Sequence, residues 1–414
     1  MTKFHRVAYI MSRFPGLSET FILREMCEME RLGWNLSLYP LIYQEGGVIH
    51  EEAKPWMSRA QRPSLSSILK ENVKLIFSRP WLYFSTFLKI FLGNISSPKF
   101  LSRAVVVFPK AVWMARQMSE ENIEHIHSHY ATHSALAAWV VNRITGIPYG
   151  ITVHAHDIFV DRSMLNQKLK DAQYIVAISN YNRKFLTDHY GEWVAEKIRV
   201  IHCGIYPDQY KGTRSQIGQG GKFEIISIGS LRPYKGFTFL LDACSLLKKR
   251  SGKNFRCRII GGGELKEPLT SKIRDLDIAD VVELVGPKNQ SEVAELLKTA
   301  NCYVQPSIIT PNGKMEGIPV SLMEAMAAGL PVIASSISGI PELVVHEETG
   351  LLVPPENPEA LVSAILQMWN NSQDAFVLSE RGRRLVLNEF DIINTVSLLS
   401  DSFEEVLSED DLWK

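Results

Sequence analysis

Two carboxylates, Glu316 and Glu324, stand eight positions apart in the stretch EGIPVSLMEAMAAGLPV, which holds no other charged residue. The pattern predicts a loop at Glu316, a helix from about Pro319 to Ala328 and then a buried strand. A fully helical segment would separate the two carboxylates by about 12 Å along its axis, at 1.5 Å per residue. They therefore cannot act on one atom, but they can hold two ends of one elongated ligand.

The start of this helix offers a second chemical feature. The backbone N–H groups of Ile318, Val320 and Ser321 have no acceptor within the helix, and unpaired N–H groups at a helix start bind anions. The same pattern is also compatible with an amphipathic helix that carries two solvated glutamates.

The motif E-x7-E, followed by A-M-A-x-G-x-P-V, resembles the retaining nucleotide-sugar glycosyltransferases of the large group 1 family, also called family 4. Members of that family build bacterial polysaccharides, lipopolysaccharide and sucrose. The resemblance extends over nearly the whole chain, more weakly between about residues 45 and 120. It implies the α/β fold called GT-B, in which two Rossmann-like, doubly wound domains face a cleft.

Carried over to this chain, the resemblance implies that Glu316 lies beside the donor sugar and its phosphates. It also implies that Glu324 binds the ribose hydroxyls. The helix start between the two glutamates is then part of the donor site: Gly317, Ile318, Pro319 and Val320.

Length and composition indicate an ordinary globular protein. The chain has 414 residues, of which 45% are hydrophobic, and this is enough for two domains with full cores. Its 45 basic and 45 acidic residues balance, which argues against a general nucleic-acid binder. Five cysteines without a C-x-x-C pair predict a reducing compartment and no zinc site. The apolar run before Arg13 is too short for a signal-peptide core, so we expect a cytosolic protein.

The order of predicted elements favours two α/β domains. Short apolar strands alternate with helices in both halves of the chain, which is the pattern of parallel doubly wound sheets. Five glycines between Gly204 and Gly221 mark the boundary. We expect an N-terminal acceptor-binding domain over residues 1–205 and a C-terminal domain that binds the nucleotide sugar over residues 206–390. The resemblance adds a closing helix over residues 391–414 that crosses back to the first domain.

A basic and aromatic segment lies between Lys54 and Arg116. It contains eleven Lys or Arg against one acid, Glu71, and ten aromatic residues are interleaved with them. Arg79 and Lys89 interrupt its longest apolar run, so a transmembrane helix is not expected. Amphipathic helices rich in basic and aromatic residues suit the surface of an anionic membrane. The alternative is a helical insertion packed on the N-terminal sheet with solvated cations.

Six of the eleven histidines fall between residues 125 and 156, which raises the question of a metal site. His125, His127 and His129 alternate along a predicted strand, which runs from Ile123 to His127, and just beyond its end. No acid or cysteine in the surrounding sequence completes a zinc set. The sequence therefore predicts no metal.

The stretch T-x-H-x-x-D after the next strand resembles the family loop in which a histidine contacts the donor sugar near the reaction centre. The matching residue is His154, with Asp157 as its expected neighbour. A neutral imidazole there can accept or donate one hydrogen bond. For His129 and His156, a purely structural role in a loop remains an equal alternative.

The turn GSLRPYKG follows the predicted strand Phe223 to Ile228. It resembles the family turn that places an Arg directly after the Gly, and a Lys five residues later, on the donor diphosphate. Lys235 matches the Lys, but Ser230 occupies the Arg position and the nearest Arg is Arg232. Either Arg232 reaches the phosphates or the site uses one cation.

Two glycine turns complete the expected donor site. In GGGE, Lys266 replaces the last Gly of a G-x-G-x-x-G fingerprint, which disfavours NAD. The family uses this turn beside the donor, so Gly263 is a donor-site candidate. The motif S-x-F-P-x-x-S-E-T-F resembles a subgroup that makes exopolysaccharide and capsule. Many relatives carry Gly-Gly in that loop, where this chain keeps only Gly16.

The resulting hypothesis is a retaining, metal-independent hexosyltransferase without a cofactor. Glu316, His154 and Lys235 are the expected catalytic residues. The expected partners are a UDP- or GDP-sugar, a glycan or polyprenyl-linked acceptor, and the anionic inner face of the plasma membrane, but no nucleic acid. The alternatives are a sugar-nucleotide epimerase or phosphorylase of the same fold, or a non-catalytic sugar-nucleotide sensor.

Overall fold

The computed structural model describes residues 5–15, 20–44, 51–211, 221–252 and 254–411. The chain forms two compact units, and the division falls after Ile201 and again before Val396. Gly16, a predicted donor-site residue, lies outside the described residues.

The first unit is built on a six-stranded parallel sheet in the order β2-β1-β3-β4-β5-β6. Its strands are β1 Arg6–Phe14, β2 Asn35–Tyr43, β3 His125–His129, β4 Tyr149–Val153, β5 Ile175–Ala177 and β6 Ile198–Val200. Its helices are α1 Thr20–Arg31, α2 Lys54–Arg59, α3 Leu65–Ser78, α4 Pro80–Asn94, α5 Pro98–Glu120, α6 His133–Thr145, α7 His156–Phe159, α8 Leu165–Asp171, α9 Asn180–Tyr190 and α10 Glu192–Ala195.

The second unit holds another six-stranded parallel sheet, in the order β12-β11-β10-β7-β8-β9. Its strands are β7 Phe223–Ile228, β8 Phe255–Ile260, β9 Val282–Gly286, β10 Cys302–Gln305, β11 Val332–Ser335 and β12 Leu351–Val353. Its helices are α11 Phe237–Ser251, α12 Lys266–Asp275, α13 Gln290–Lys298, α14 Val320–Ala327, α15 Ile340–Leu343, α16 Pro358–Asn370 and α17 Ser372–Glu389, and α18 Ile392–Asp411 continues from this unit into the first.

Both sheets are buried on two faces, as parallel sheets with crossover helices require. All five residues of β3 and of β4 are buried, and so are all four residues of β10 and of β11 in the second unit. Local signals set the helix bounds. For example, Asn289 and Glu292 cap the start of α13 reciprocally, and Gly146 takes a left-handed conformation at the end of α6.

The strand orders predict one ligand-binding crevice at each sheet. In an open parallel sheet, ligands bind at the carboxyl ends of the strands, where the strand order reverses direction. That point lies between β1 and β3 in the first sheet and between β7 and β10 in the second. The loops that follow these four strands are therefore expected to carry the ligand-binding residues.

The predicted fold class is confirmed, since both sheets are parallel and doubly wound. The predicted bounds of β4, β7 and β10 match the structure. One prediction about β3 was wrong: the strand extends to His129, so this histidine is a strand residue. Residues 54–116 are helical as expected, and no described helix is both long and apolar enough to cross a bilayer.

Candidate active site

The crevice of the second unit contains a buried ion pair between Lys235 and Glu316. Lys235 lies in the turn after β7, and Glu316 lies in the loop after β10. The Lys235 ammonium donates to Oε1 of Glu316. Nε2 of Gln305 donates to Oε2 at 2.9 Å, and the Ser307 hydroxyl donates to the same oxygen. These three donors give hydrogen-bond partners to both oxygens of a carboxylate that is only 8% exposed.

Close backbone packing shapes the turn that carries Lys235. A Cβ at Gly229 would lie 2.9 Å from Cε of Lys235, so the absence of a side chain there leaves room for the lysine. A Cβ at Gly263 would lie 2.6 Å from the carbonyl oxygen of Leu231. The predicted glycine turn therefore packs directly against the lysine turn, and a larger residue at Gly263 would push the two apart.

Helix α14 begins beside this pair. Pro319 is its N-cap and supplies no side-chain cap. Among the described residues, no acceptor bonds the N–H groups of Ile318, Val320 or Ser321. The Ser321 hydroxyl is instead tied to the carbonyl of Ile228 at 3.2 Å. The helix start thus keeps unpaired donors close to Lys235, which favours an anion.

Glu324 lies on the same helix and has a different environment. It is buried, and Oε1 accepts a hydrogen bond of 2.6 Å from the Tyr210 hydroxyl. The two glutamates therefore have separate partners, as expected for groups that bind separate parts of one ligand. Of the residues between them, Ile318 and Pro319 are buried, while Gly317 and Val320 are half-buried.

Arg232 does not join the ion pair. It is half-exposed, and Nη1 lies 3.6 Å from Oε1 of Glu264 in the glycine turn. Ser230, at the position of the family Arg, has its hydroxyl 3.3 Å from that of Tyr234. In this arrangement Lys235 is the cation that pairs with Glu316, and Arg232 is an exposed residue of the same turn.

In the first unit, His154 follows β4 and is held through its backbone by Asp157. The Asp157 carboxylate accepts the N–H groups of His154 at 3.1 Å, Ala155 at 2.8 Å and Ala131 at 2.8 Å. Asp157 is therefore the neighbour of His154, but its carboxylate bonds the backbone of the loop and not the imidazole. Burial lowers the pKa of His154, so the ring is neutral at pH 7.

A chain of hydrogen bonds orients the imidazole of His154. Its Nε2 lies 3.3 Å from Nδ1 of His129, and Nε2 of His129 lies 3.0 Å from Oε1 of Glu25. The Tyr9 hydroxyl donates to the same oxygen at 2.9 Å. His129 thus links Glu25 to His154, which gives it a defined role in place of the loop role that the sequence left open.

The sequence argument against a metal was wrong on one point, because an acid does lie beside the histidines. Glu25 of α1 places a carboxylate oxygen within 4.8 Å of ring nitrogens of His127 and His129. The nitrogens already have protein partners, however. His127 bonds Tyr174 at 3.0 Å and Thr152 at 2.9 Å. This cluster is hydrogen-bonded throughout, so its residues are satisfied without an ion.

Sequence reasoning missed the residues that hold the site together. Tyr210 and Glu25 are ordinary polar residues that lie 114 and 104 positions along the chain from the groups they contact, Glu324 and His129. Gln305 and Ser307 lie only 11 and 9 positions before Glu316. The available signal was position: Gln305 and Ser307 stand at the carboxyl end of a predicted strand, where ligands bind.

Comparison with known proteins agrees with this geometry. The model of the family "Glycosyl transferases group 1" matches residues 212–385, and that of "Glycosyltransferase Family 4" matches residues 55–209. The amylovoran biosynthesis glycosyltransferase AmsK of Erwinia amylovora is 40% identical over 197 residues, which cover 47% of this chain and 48% of AmsK. The putative colanic acid biosynthesis glycosyltransferase WcaL of Escherichia coli K12 is 37% identical over 196 residues, with the same coverage. The matches thus span about half the length of these relatives.

A solved structure shows the same fold. HepE of Anabaena in complex with UDP superposes with a TM-score of 0.71 at 16% identity, and the match covers 97% of this chain and 100% of HepE. Two parallel six-stranded sheets and a buried Lys–Glu pair accompany matches to both family models over most of the chain. Residues 212–385 match the group 1 glycosyltransferases, residues 55–209 match glycosyltransferase family 4, and the chain has the GT-B fold.

Proposed function

We propose that the protein is a retaining, metal-independent glycosyltransferase. It moves a hexose-type sugar from a UDP- or GDP-sugar to a glycan or polyprenyl-linked acceptor. The observation that carries this proposal is the Lys235–Glu316 pair at the point where the strand order reverses, beside the unpaired N–H groups of α14. Two relatives that match over about half their length are named for amylovoran and colanic acid biosynthesis. These names support synthesis of a bacterial surface polysaccharide as the setting.

The donor diphosphate is the anion that this crevice fits. As the sugar leaves, negative charge grows on the diphosphate, and groups already aimed at that charge lower the barrier most. Lys235 and the N–H groups of Val320 and Ser321 supply such groups. Arg232, at the edge of the turn, adds a second cation when its weak surface pair with Glu264 opens. Glu324 then binds the ribose at the other end of the donor.

The surroundings of Glu316 argue against a double displacement as the route to retention. A double displacement needs a carboxylate that is free to attack the anomeric carbon. Glu316 is held instead by Lys235, Gln305 and Ser307, and no second carboxylate contacts it among the described residues. Departure and attack on one face of the sugar, with the leaving phosphate taking the acceptor proton, therefore fits better. Neutral His154 accepts or donates a hydrogen bond at the sugar.

Metal independence follows from the same charge assignment. In this mechanism Lys235 and the helix start neutralise the leaving group, which is the task a metal ion performs in other transferases. Incubation with a chelator should leave the rate unchanged. A loss of activity that Mg²⁺ or Mn²⁺ restores would contradict this part of the proposal.

The proposed site of action of the enzyme is an anionic membrane surface on the cytoplasmic side. Helices α3 and α4 expose a series of large apolar side chains, with Phe77 83% and Trp81 85% exposed. Exposed cations lie among them, including Arg79, Lys89 and Lys99. Apolar side chains flanked by cations suit the boundary between headgroups and acyl chains.

Vesicle sedimentation tests the membrane part. The protein should pellet with anionic vesicles at low salt, and Arg79→Gln/Lys89→Gln/Lys99→Gln should weaken pelleting because the Debye length of about 8 Å confines the attraction to the surface. A Phe77→Ser/Trp81→Ser variant separates the apolar contribution. If the wild type does not pellet with anionic vesicles at any salt concentration, the membrane proposal is wrong and a soluble acceptor is favoured.

A donor panel tests the catalytic proposal. The purified protein is mixed with each common UDP-, GDP- and ADP-sugar, and both thermal stabilisation and nucleotide release are measured, because a ligand that binds the folded state raises apparent stability. One donor should stabilise the protein and release its nucleotide faster when acceptor is added. An epimerase would change the donor without acceptor, and a sensor would bind it without turnover.

A further inference from the structure

The buried chain from Glu25 through His129 to His154 also determines where the protons lie on the two histidine rings. Each ring nitrogen of His129 faces one partner: Nε2 lies 3.0 Å from Oε1 of Glu25, and Nδ1 lies 3.3 Å from Nε2 of His154. A neutral imidazole carries one N–H and one acceptor nitrogen. A partner that can only accept therefore sets the direction of every hydrogen bond in the chain.

Glu25 is this partner. A glutamate carboxylate at neutral pH has no proton to donate. Its Oε1 also accepts a hydrogen bond of 2.9 Å from the Tyr9 hydroxyl. Burial and the neighbouring carboxylate raise the pKa of Tyr9, so the hydroxyl keeps its proton and acts as a donor. His127 does not compete for this oxygen, because its Nε2 lies 4.0 Å away and bonds Thr152 instead.

The tautomers of His129 and His154 follow from this acceptor. His129 carries its proton on Nε2 to donate to Glu25, so its Nδ1 has only a lone pair. Because that lone pair faces His154, Nε2 of His154 is the donor in the bond of 3.3 Å. His129 is fully buried, and burial disfavours the second proton that would reverse this direction. Nδ1 of His154 is thus the nitrogen left with a lone pair.

This nitrogen is available to a ligand. Among the described residues, none bonds Nδ1 of His154, and the residue keeps 6% of its surface exposed. The rings of Phe21 and Tyr130 pack beside the imidazole, with centroids 5.0 and 4.5 Å from its own, and restrict its rotation. A lone pair held in a fixed place accepts a hydrogen bond and cannot donate one.

We propose that Glu25 and His129 are positioning residues that hold His154 with its proton on Nε2, so that Nδ1 accepts a hydrogen bond from one hydroxyl of the transferred sugar. The contact with the sugar rests on the proposed function, which places His154 at the donor. A hydroxyl donates to this lone pair, whereas a fluorine on the same carbon does not. The enzyme therefore selects a donor sugar that carries this hydroxyl, and the selection depends on Glu25, two hydrogen bonds away from His154.

Nitrogen NMR tests the proton positions without any ligand. The full chain is labelled with nitrogen-15 in its histidines, and the ring signals of His154 are those that disappear in His154→Asn. At neutral pH the wild type should show a protonated Nε2 and an unprotonated Nδ1 for this residue. A protonated Nδ1 overturns the inference, whether or not the protein transfers sugar.

Transfer kinetics test the contact with the sugar. The donor found in the panel is compared with analogues in which fluorine replaces one hydroxyl at a time. For one hydroxyl, the ratio of the rates with hydroxyl and with fluorine should be about tenfold larger in the wild type than in Glu25→Met, because the variant loses the hydrogen bond. The inductive effect of fluorine is the same in both proteins and cancels. If Glu25 only supports the fold, both rates fall equally and every ratio stays unchanged, which overturns the positioning role.

The matched control is Tyr9→Phe, which removes the other hydrogen bond to Oε1 of Glu25 but keeps the path to His154. It should retain the wild-type ratio for every hydroxyl. The same loss of ratio in Tyr9→Phe would trace the effect to a general disturbance of the buried residues and would also overturn the inference. If no donor reacts with the wild type, the proposed function is wrong, while the NMR measurement still determines the proton positions.

Discussion

The Tyr210 hydroxyl lies 2.6 Å from Oε1 of Glu324, so the carboxylate assigned to the ribose is held by a residue 114 positions away. This bond restricts the Glu324 side chain before a donor arrives, which reduces the conformational entropy lost on binding. Tyr210 is itself buried and packs in the core beneath α14.

Replacement of Glu324 should weaken donor binding. Glu324→Gln removes a charge-assisted hydrogen bond, which corresponds to about 1.5–3 kcal/mol of binding free energy. Tyr210→Phe keeps the Glu324 carboxylate but removes the hydrogen bond that restricts it, so the loss of donor affinity should be smaller. Calorimetry with the donor found in the panel measures both. Equal affinity in the wild type and Glu324→Gln would remove the ribose assignment.

The Lys235–Glu316 pair should contribute to stability as well as to catalysis. Its side chains are 10% and 8% exposed, and removal of one partner from a buried pair leaves an uncompensated charge. Lys235→Met should therefore cost about 3–5 kcal/mol in urea unfolding. The double variant Lys235→Met/Glu316→Gln should recover part of this loss, because no unpaired charge remains. A double variant less stable than Lys235→Met would contradict the ion-pair account.

Arg232 offers a test of the second cation. Arg232→Ala should lower turnover by about tenfold or more if this residue reaches the leaving diphosphate. Glu264→Gln is the matched control, since it releases Arg232 from its only described carboxylate partner and should keep or raise the rate. Wild-type kinetics in Arg232→Ala would show that Lys235 and the helix start suffice.

Acid should destabilise the first unit. Burial lowers the pKa of His125 to about 3 and also lowers the pKa values of His127 and His154. The unfolded chain binds protons at these groups near pH 6.5 while the folded chain does not, so stability is lost as the pH falls below that value. His125 alone should cost about 1.4 kcal/mol between pH 7.5 and 5.5.

Urea unfolding at several pH values checks this dependence. His125→Phe should reduce the loss between pH 7.5 and 5.5 by about 1.4 kcal/mol, whatever its effect at neutral pH. The comparison uses the pH-dependent difference within each variant, so a general destabilisation does not disturb it. An identical pH dependence in His125→Phe and the wild type would show that His125 is not buried neutral.

The sequence predicted the fold and the places of Lys235 and Glu316 within it because both depend on local patterns. Alternating strands and helices indicated parallel sheets, and Lys235 and Glu316 were placed at the ends of β7 and β10 by periodicity and motif. The hydrogen bond between Lys235 and Glu316 could not be predicted from local patterns. Their bond spans 81 positions, and nothing in either motif indicates that the lysine neutralises the glutamate.

The histidine region was harder to predict for a physical reason. The predicted end of β3 at His127 is two residues early, because the structure continues the strand to His129 and buries this residue beside Glu25 and His154. Hydrophobic periodicity cannot indicate a buried polar network. A cavity of the first unit that Arg13 and Arg103 line could not be predicted either, since its lining comes from five separated segments.

The central claim is that Glu316 acts on the transferring sugar while Glu324 acts on the bound nucleotide. The most direct measurement is single-turnover transfer with the identified donor and acceptor, compared with the donor dissociation constant, in Glu316→Gln and Glu324→Gln. We predict that Glu316→Gln lowers the transfer rate by about 10² or more with little change in donor affinity. Glu324→Gln should do the reverse and mainly weaken donor binding. A Glu316→Gln variant that transfers sugar at the wild-type rate would contradict the account.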